Sequence, residues 1–123
     1  MRTIPSILVI DDNPDALQTF SHLLGALGVQ HVREACSAER ALEMLQTQSF
    51  SIILSDYRLG GMDGVEFLEQ LRAKGDETPV VVFSGAPDTA GVIRAARQPK
   101  VDFFSKPFRI TELTHAMERL MAA

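Results

Sequence analysis

Three carboxylates, a hydroxyl and an ammonium mark the ends of four short apolar runs in this 123-residue chain. Asp11 and Asp12 follow Ile7-Leu8-Val9-Ile10, and Asp56 follows Ser51-Ile52-Ile53-Leu54-Ser55. Ser84 follows Val80-Val81-Val82-Phe83, and Lys106 stands just after Val101-Asp102-Phe103-Phe104, directly before Pro107. Carboxylates brought within a few ångströms repel, so a pKa must rise or a cation must bind. Hard oxygen ligands with no His or thiolate beside them suit Mg²⁺ or Mn²⁺. A divalent ion and an ammonium flanking one carboxylate make a clamp for a phosphoryl group. The small residues after Ser84, Gly85 and Ala86, leave room for an incoming tetrahedral group, to which the hydroxyl could donate. Each residue alone has a plainer role: a capping loop for Asp11-Asp12-Asn13, a turn for Ser84, a counterion for Lys106, core for Phe103.

The elements that would position these groups alternate strand and helix along the chain, the pattern of a doubly wound α/β domain. The four runs suit strands buried on both faces of a parallel sheet, whose C-terminal ends share one edge. Ligands of open α/β sheets bind in the crevice outside that edge. The first helix should begin at Pro14 with Asn13 as N-cap, carry Leu17, Phe20, Leu24 and Leu27, and stop at Gly28. A polar strand over 31–35, suited to an edge, precedes a helix capped by Ser37 with Ala41, Leu42 and Leu45 facing inward. Residues 57–63 form a loop, and the next helix runs from Gly64 to about Lys74 with Phe67, Leu68 and Leu71 on one side, ending at Gly75. The segment 88–98 is the weakest helix, since Gly91 lies inside it and Pro87 and Pro99 bracket it. The last helix starts near Ile110 and stripes Ile110, Leu113, Met117, Leu120 and Met121 together.

The length suits one domain over 1–123, with no room for a second. Twelve Lys and Arg against 16 Asp and Glu give a net charge of −4, with the basic residues scattered, which argues against direct nucleic-acid binding. Cys36 is the sole cysteine, so no internal disulfide is possible and a reducing compartment is expected. An N-terminal apolar stretch of about seven residues that runs into two aspartates suits neither a signal peptide nor a membrane span. A cytoplasmic protein without a membrane partner is the expectation.

The stretches LVIDDNPD, LSDYRLGGMDG, VVFSGA and DFFSKPF, four separate matches in order and at the right spacing, resemble the receiver domain of two-component response regulators, of the chemotaxis-regulator kind. The resemblance runs from end to end and implies a flavodoxin-like fold: a five-stranded parallel sheet in the order 2-1-3-4-5, flanked by five helices. It implies that Asp56 is the phosphoacceptor, and that Asp12, Asp56 and the backbone carbonyl of Arg58 bind Mg²⁺ while Asp11 acts largely through a metal-bound water. Ser84 and Lys106 would contact phosphoryl oxygens, Lys106-Pro107 would be cis, and Phe103 would be the switch aromatic. The implied partners are a sensor histidine kinase or histidine phosphotransfer protein and a downstream protein target. The chain would then be a signalling domain that assists its own phosphorylation and dephosphorylation rather than an enzyme. Since nothing follows the last helix, its output would be another protein or a phosphorelay step, unless the chain is a fragment.

Four features depart from the family pattern: Phe103 has no hydroxyl, so a switch there would work by packing, Arg58 puts a long cationic side chain two residues past Asp56 where it can overhang an acyl phosphate, and the other two lie in loops. Gly60 stands where proline is usual, which predicts a looser loop after the phosphoacceptor, and Pro99-Lys100 replaces the common Gly-Ala before the fifth strand. Three rivals use similar parts. A haloacid-dehalogenase-type phosphatase needs a second aspartate two residues after its nucleophile, where Asp11 is followed by Asn13. A flavodoxin-like FMN carrier needs free amides and hydroxyls where Asp11, Asp12 and Pro14 stand. A pseudo-receiver that binds without phosphorylation would have no use for the full set of Asp12, Asp56, Ser84 and Lys106.

Overall fold

Each apolar run becomes a strand whose alternate side chains go to opposite faces. The computed structural model describes residues 6–85 and 89–122. Among these the order is β1 (Ser6–Ile10), α1 (Pro14–Ala26), β2 (His31–Ala35), α2 (Ala38–Leu45), β3 (Ile52–Asp56), α3 (Gly64–Ala73), β4 (Val80–Ser84), α4 (Thr89–Ala96), β5 (Val101–Ser105) and α5 (Ile110–Ala122). The strands are all parallel, in the order β2-β1-β3-β4-β5. Leu8, Ile10, Ile53, Val80 and Val82 meet α2, α3 and α4 on one face, where Ala41, Phe67, Leu68, Leu71 and Ala95 are buried. Ile7, Val9, Ile52, Leu54, Val81 and Phe83 meet α1 and α5 on the other, against Leu17, Leu24, Leu113 and Met117. β2, with His31, Arg33 and Glu34 exposed, lies at one edge as its polarity predicts.

The helix starts follow their caps. Asn13 accepts from the N–H of Asp15 and Ala16 with Pro14 at the first helical position, and Ser37 accepts from Arg40. Asp63 caps α3 in a reciprocal box with Glu66. α4 begins at Thr89; the expected start at residue 88, with Pro87 and Ala86, lies outside the described residues.

The turn before β5 shows what Pro99-Lys100 costs and how it is held. Lys100 takes φ 54°, a left-handed value that favours glycine. The Arg72 guanidinium at the end of α3 donates to three backbone carbonyls, Pro99 and Lys100 at 3.1 Å each and Asp76 at 2.9 Å. Burial pushes the Arg72 pKa down from its usual value, opposed by the charges of Asp76 and Glu77. One cation thus ties together the turns that lead into β4 and β5, and with them the strands that carry Ser84 and Lys106.

Candidate phosphoryl-transfer site

The register brings the chemistry-bearing strand ends to one level. Ile10 pairs with Ser55, so Asp11 and Asp56 stand one step beyond them on neighbouring strands. The chain crosses from β1 out to β2 and returns to β3 on the other side of β1, which makes the β1/β3 boundary the switch point where such sheets open a crevice. The ladder continues past the strand ends: Tyr57 N–H donates to the Phe83 carbonyl at 2.7 Å, and Lys106 N–H to the Ser84 carbonyl at 2.7 Å.

Asp56 sits at the centre of the group. Lys106 Nζ lies 2.6 Å from Asp56 Oδ1, and the Arg58 N–H donates to Oδ2 at 3.2 Å. The Asp56 side chain keeps 15% of its exposure and that of Lys106 38%, so the pair is open to a partner on one side. The Lys106-Pro107 bond is cis, as the resemblance implies. The next residue anchors the turn: the Phe108 ring lies 4.7 Å from Phe83 and 6.2 Å from both Phe20 and Phe104. Lys106 therefore projects from a turn fixed by backbone pairing on one side and an aromatic cluster on the other.

Asp11 is buried; its N–H donates to the Ala35 carbonyl and its Oδ1 accepts from the Asn13 N–H at 2.9 Å. Burial pushes its carboxyl above the ordinary value, the Asn13 N–H opposes this, the charge of Asp56 adds to the rise, Lys106 offsets part, and Asp12 adds a smaller share. A raised folded-state pKa means that ionised Asp11 weakens the fold; stability is lost as pH climbs from 3.8 through the raised value. Metal-free Asp11→Asn is therefore expected to melt a few degrees above the parent at pH 7, the gap closing once the pH falls below the ordinary carboxylate range. Thermal unfolding at both pH values checks this, and a gap independent of pH would mean that ionisation of Asp11 does not weaken the fold.

Asp12 is exposed and lies over the loop that follows β3, where a Cβ on Gly60 would come within 3.3 Å of Asp12 Oδ2. Gly60 has φ 84°, far from the value near −65° that proline imposes. The departure from the family pattern thus places a left-handed turn beside Asp12, a conformation that proline could not adopt. Among the described residues no three His, Cys, Asp or Glu side chains converge closely enough to cage a metal by themselves. The set expected from the sequence asks for less: the carboxylates of Asp12 and Asp56 with the carbonyl of Arg58. All of these are hard oxygen donors, and after burial the charges of Asp56 and Asp12 add to the rise of the Asp11 carboxyl while Lys106 offsets part of it. The residues present fit a small divalent cation on that chemistry.

Ser84 is buried at the end of β4, and Lys106 N–H is bonded to its carbonyl. Phe103 is half-buried on the α3 and α4 face, its ring 6.0 Å from that of Tyr57, the residue after Asp56. The sequence reading gave no role to Tyr57, Phe108 or Arg72. Phe108 sits inside a quoted motif, and its spacing from Phe104 is the one signal that could have marked it; nothing local marks Arg72.

A family model described as response regulator receiver domain matches residues 7–118. The transcriptional regulatory protein FixJ of Bradyrhizobium diazoefficiens is 32% identical over 118 residues, which cover 96% of this chain and 57% of FixJ. The C4-dicarboxylate transport transcriptional regulatory protein DctD of Rhizobium meliloti is 29% identical over 119 residues, covering 97% of this chain and 26% of DctD. The chain thus spans little more than half of the first of these relatives and about a quarter of the second. The solved structure of FixJ-N superposes with a TM-score of 0.87 at 27% identity, covering 99% of this chain and 96% of that one. The receiver domain of the Francisella response regulator 1452 gives 0.85 at 27% identity, covering 96% and 97%.

Proposed function

The chain belongs to the response regulator receiver domain family of two-component signalling, and on that premise we propose that Asp56 accepts a phosphoryl group and so switches a protein-interaction surface. The observation that carries this is the contact of 2.6 Å between Lys106 Nζ and Asp56 Oδ1, beside Asp11 and Asp12 and one strand away from Ser84. No helix among the described residues is long and apolar enough to cross a membrane. The proposal takes residues 1–123 as one receiver domain at work in the cytoplasm, with a sensor histidine kinase or histidine phosphotransfer protein as donor. The family membership removes the haloacid-dehalogenase-type phosphatase as an alternative.

Phosphoryl transfer needs positioning and charge neutralisation more than covalent help. A carboxylate oxygen of Asp56 attacks the phosphorus of a phosphohistidine; the P–N bond breaks, its electron pair leaves with the imidazole, and an aspartyl phosphate forms. Lys106 follows the charge from the carboxylate to the phosphoryl oxygens. Ser84 donates its hydroxyl to another of those oxygens, moving its strand end. Phe103 then repacks against Tyr57, and the surface of α4, β5 and α5 changes for the next protein to read. Receiver domains generally bind Mg²⁺ at the phosphorylation site; here Asp12, Asp56 and the Arg58 carbonyl would hold it, with Asp11 acting through a bound water. Bound there, the ion supplies positive charge that the phosphoryl oxygens need.

The chain incubated with acetyl phosphate and Mg²⁺ should take up one phosphoryl group that hydroxylamine removes, as it must from an acyl phosphate. Intact-mass measurement before and after hydroxylamine tests this; an unlabelled folded chain would overturn the reading. Mg²⁺ should also stabilise the fold. At about ten times its dissociation constant the gain is about 1.4 kcal/mol, a rise in melting temperature of about 3 to 6 °C for a domain of this size. Equal ionic strength in NaCl should give no such rise.

A further inference from the structure

α4 has little of its own to hold it in place. It is eight residues long, Gly91 and Ala95 are its buried residues, and Val92 and Ile93 stand out in solvent at 43% and 51% exposure. Helices this short do not persist without tertiary anchors, and one buried glycine and one buried alanine offer a single methyl group to fix orientation. The charged side chain between them does more. Arg94 Nη2 donates to Glu69 Oε1 at 2.8 Å, and Nη1 lies 3.6 Å from Asp63 Oδ2. Both carboxylates belong to α3 or its cap.

Asp63 is the informative partner. Its Oδ1 accepts from Val65 and Glu66 N–H at 2.9 and 2.7 Å and so begins α3, while Oδ2 faces Arg94. Gly64 N–H donates to the Tyr57 carbonyl at 2.8 Å, which closes the loop that starts at Asp56. One carboxylate therefore joins α4 to the loop carrying the phosphoacceptor. The Glu69 hydrogen bond, against partial burial and together with the Glu69 and Asp63 charges, holds the Arg94 guanidinium above its usual range.

We propose that Arg94 is an ionic latch that holds α4 on α3 while Asp56 carries no phosphoryl group, and that the latch opposes the switch. This rests on the phosphoacceptor reading and adds to it the restraint that phosphorylation must overcome. A contact made in one arrangement alone biases the equilibrium by its own net strength. For a guanidinium shared between two partly exposed carboxylates that amounts to about a two- to fivefold shift.

Beryllofluoride with Mg²⁺, as a phosphoryl mimic, tests the latch in the full chain. Tyr57 is the one tyrosine and there is no tryptophan, so intrinsic fluorescence reports on the residue next to Asp56. Arg94→Met should bind beryllofluoride about two- to fivefold more tightly than the parent, with faster hydrogen exchange over 89–96 and unchanged exchange in β1 and β3. Glu69→Gln should act in the same direction, and the double variant should add nothing to Arg94→Met. If Arg94→Met does not fold, Glu69→Gln alone carries the test at a half-buried site. Parental affinity in folded variants, weaker binding, or strictly additive effects would overturn the latch. A parent chain that responds to beryllofluoride while the variants match it sinks the latch alone; a parent that neither responds nor takes label from acetyl phosphate sinks the phosphoacceptor reading and the latch with it.

Discussion

Asp56→Asn should take no label from acetyl phosphate, while Lys106→Ala should still take it slowly. The two variants separate the atom that forms the bond from the charge that assists. Asparagine keeps the shape of the side chain and an acceptor oxygen for the Arg58 N–H, now 3.2 Å from Oδ2. It lacks the anionic nucleophile, so labelling should fall to background. Removing Lys106 leaves the nucleophile and takes away the ammonium 2.6 Å from it. Loss of one preorganised electrostatic group costs about 10²- to 10³-fold where it acts on the transition state, and the 38% exposure of Lys106 favours the lower end. Timed intact-mass spectra give both rates. Equal labelling of Asp56→Asn and the parent would move the phosphoacceptor elsewhere, and parental kinetics in Lys106→Ala would reduce Lys106 to a counterion.

The order of these effects was legible in the sequence because it depends on strand ends. Where an apolar run stops, a parallel strand stops, so Asp11, Asp56, Ser84 and Lys106 could be assigned to one edge without knowing any contact. The caps were legible for the same local reason: Asn13 before Pro14 and Ser37 before Ala38 act within three residues of themselves. What escaped is carried by long side chains across elements. Arg72 reaches carbonyls 27 and 28 residues away, and Arg94 reaches Glu69 at a separation of 25. An arginine on a helix face reads as a solvated charge until the neighbouring turn is known. Lys100 shows a second limit. Its left-handed φ of 54° lies at the position where the family pattern has the common Gly-Ala, and the sequence could flag the departure but not that Arg72 holds the turn.

Gly64→Ala should damage both the fold and the site, and by a route that no neighbouring side chain can relieve. A Cβ at position 64 would lie 2.6 Å from the Asp56 carbonyl oxygen and 3.2 Å from both Ser55 Oγ and Tyr57 Cα. Two of these atoms are backbone, and Ser55 Oγ is itself bonded to the Asp56 carbonyl at 2.9 Å. The methyl group must therefore push the first turn of α3 away from the end of β3. That would stretch the 2.8 Å bond from Gly64 N–H to the Tyr57 carbonyl and shift Asp63, the cap that also faces Arg94. Overpacking of this kind costs about 1–3 kcal/mol, or about 4 °C of melting temperature for each kcal/mol. The displaced loop carries Arg58, so Mg²⁺ should stabilise the variant less than the parent even after the lower baseline is allowed for. Thermal unfolding with and without Mg²⁺ reads both quantities. A variant with parental melting temperature and parental Mg²⁺ response would mean that α3 can move off β3 freely, and that the loop between Asp56 and Asp63 is not held by the close approach at Gly64.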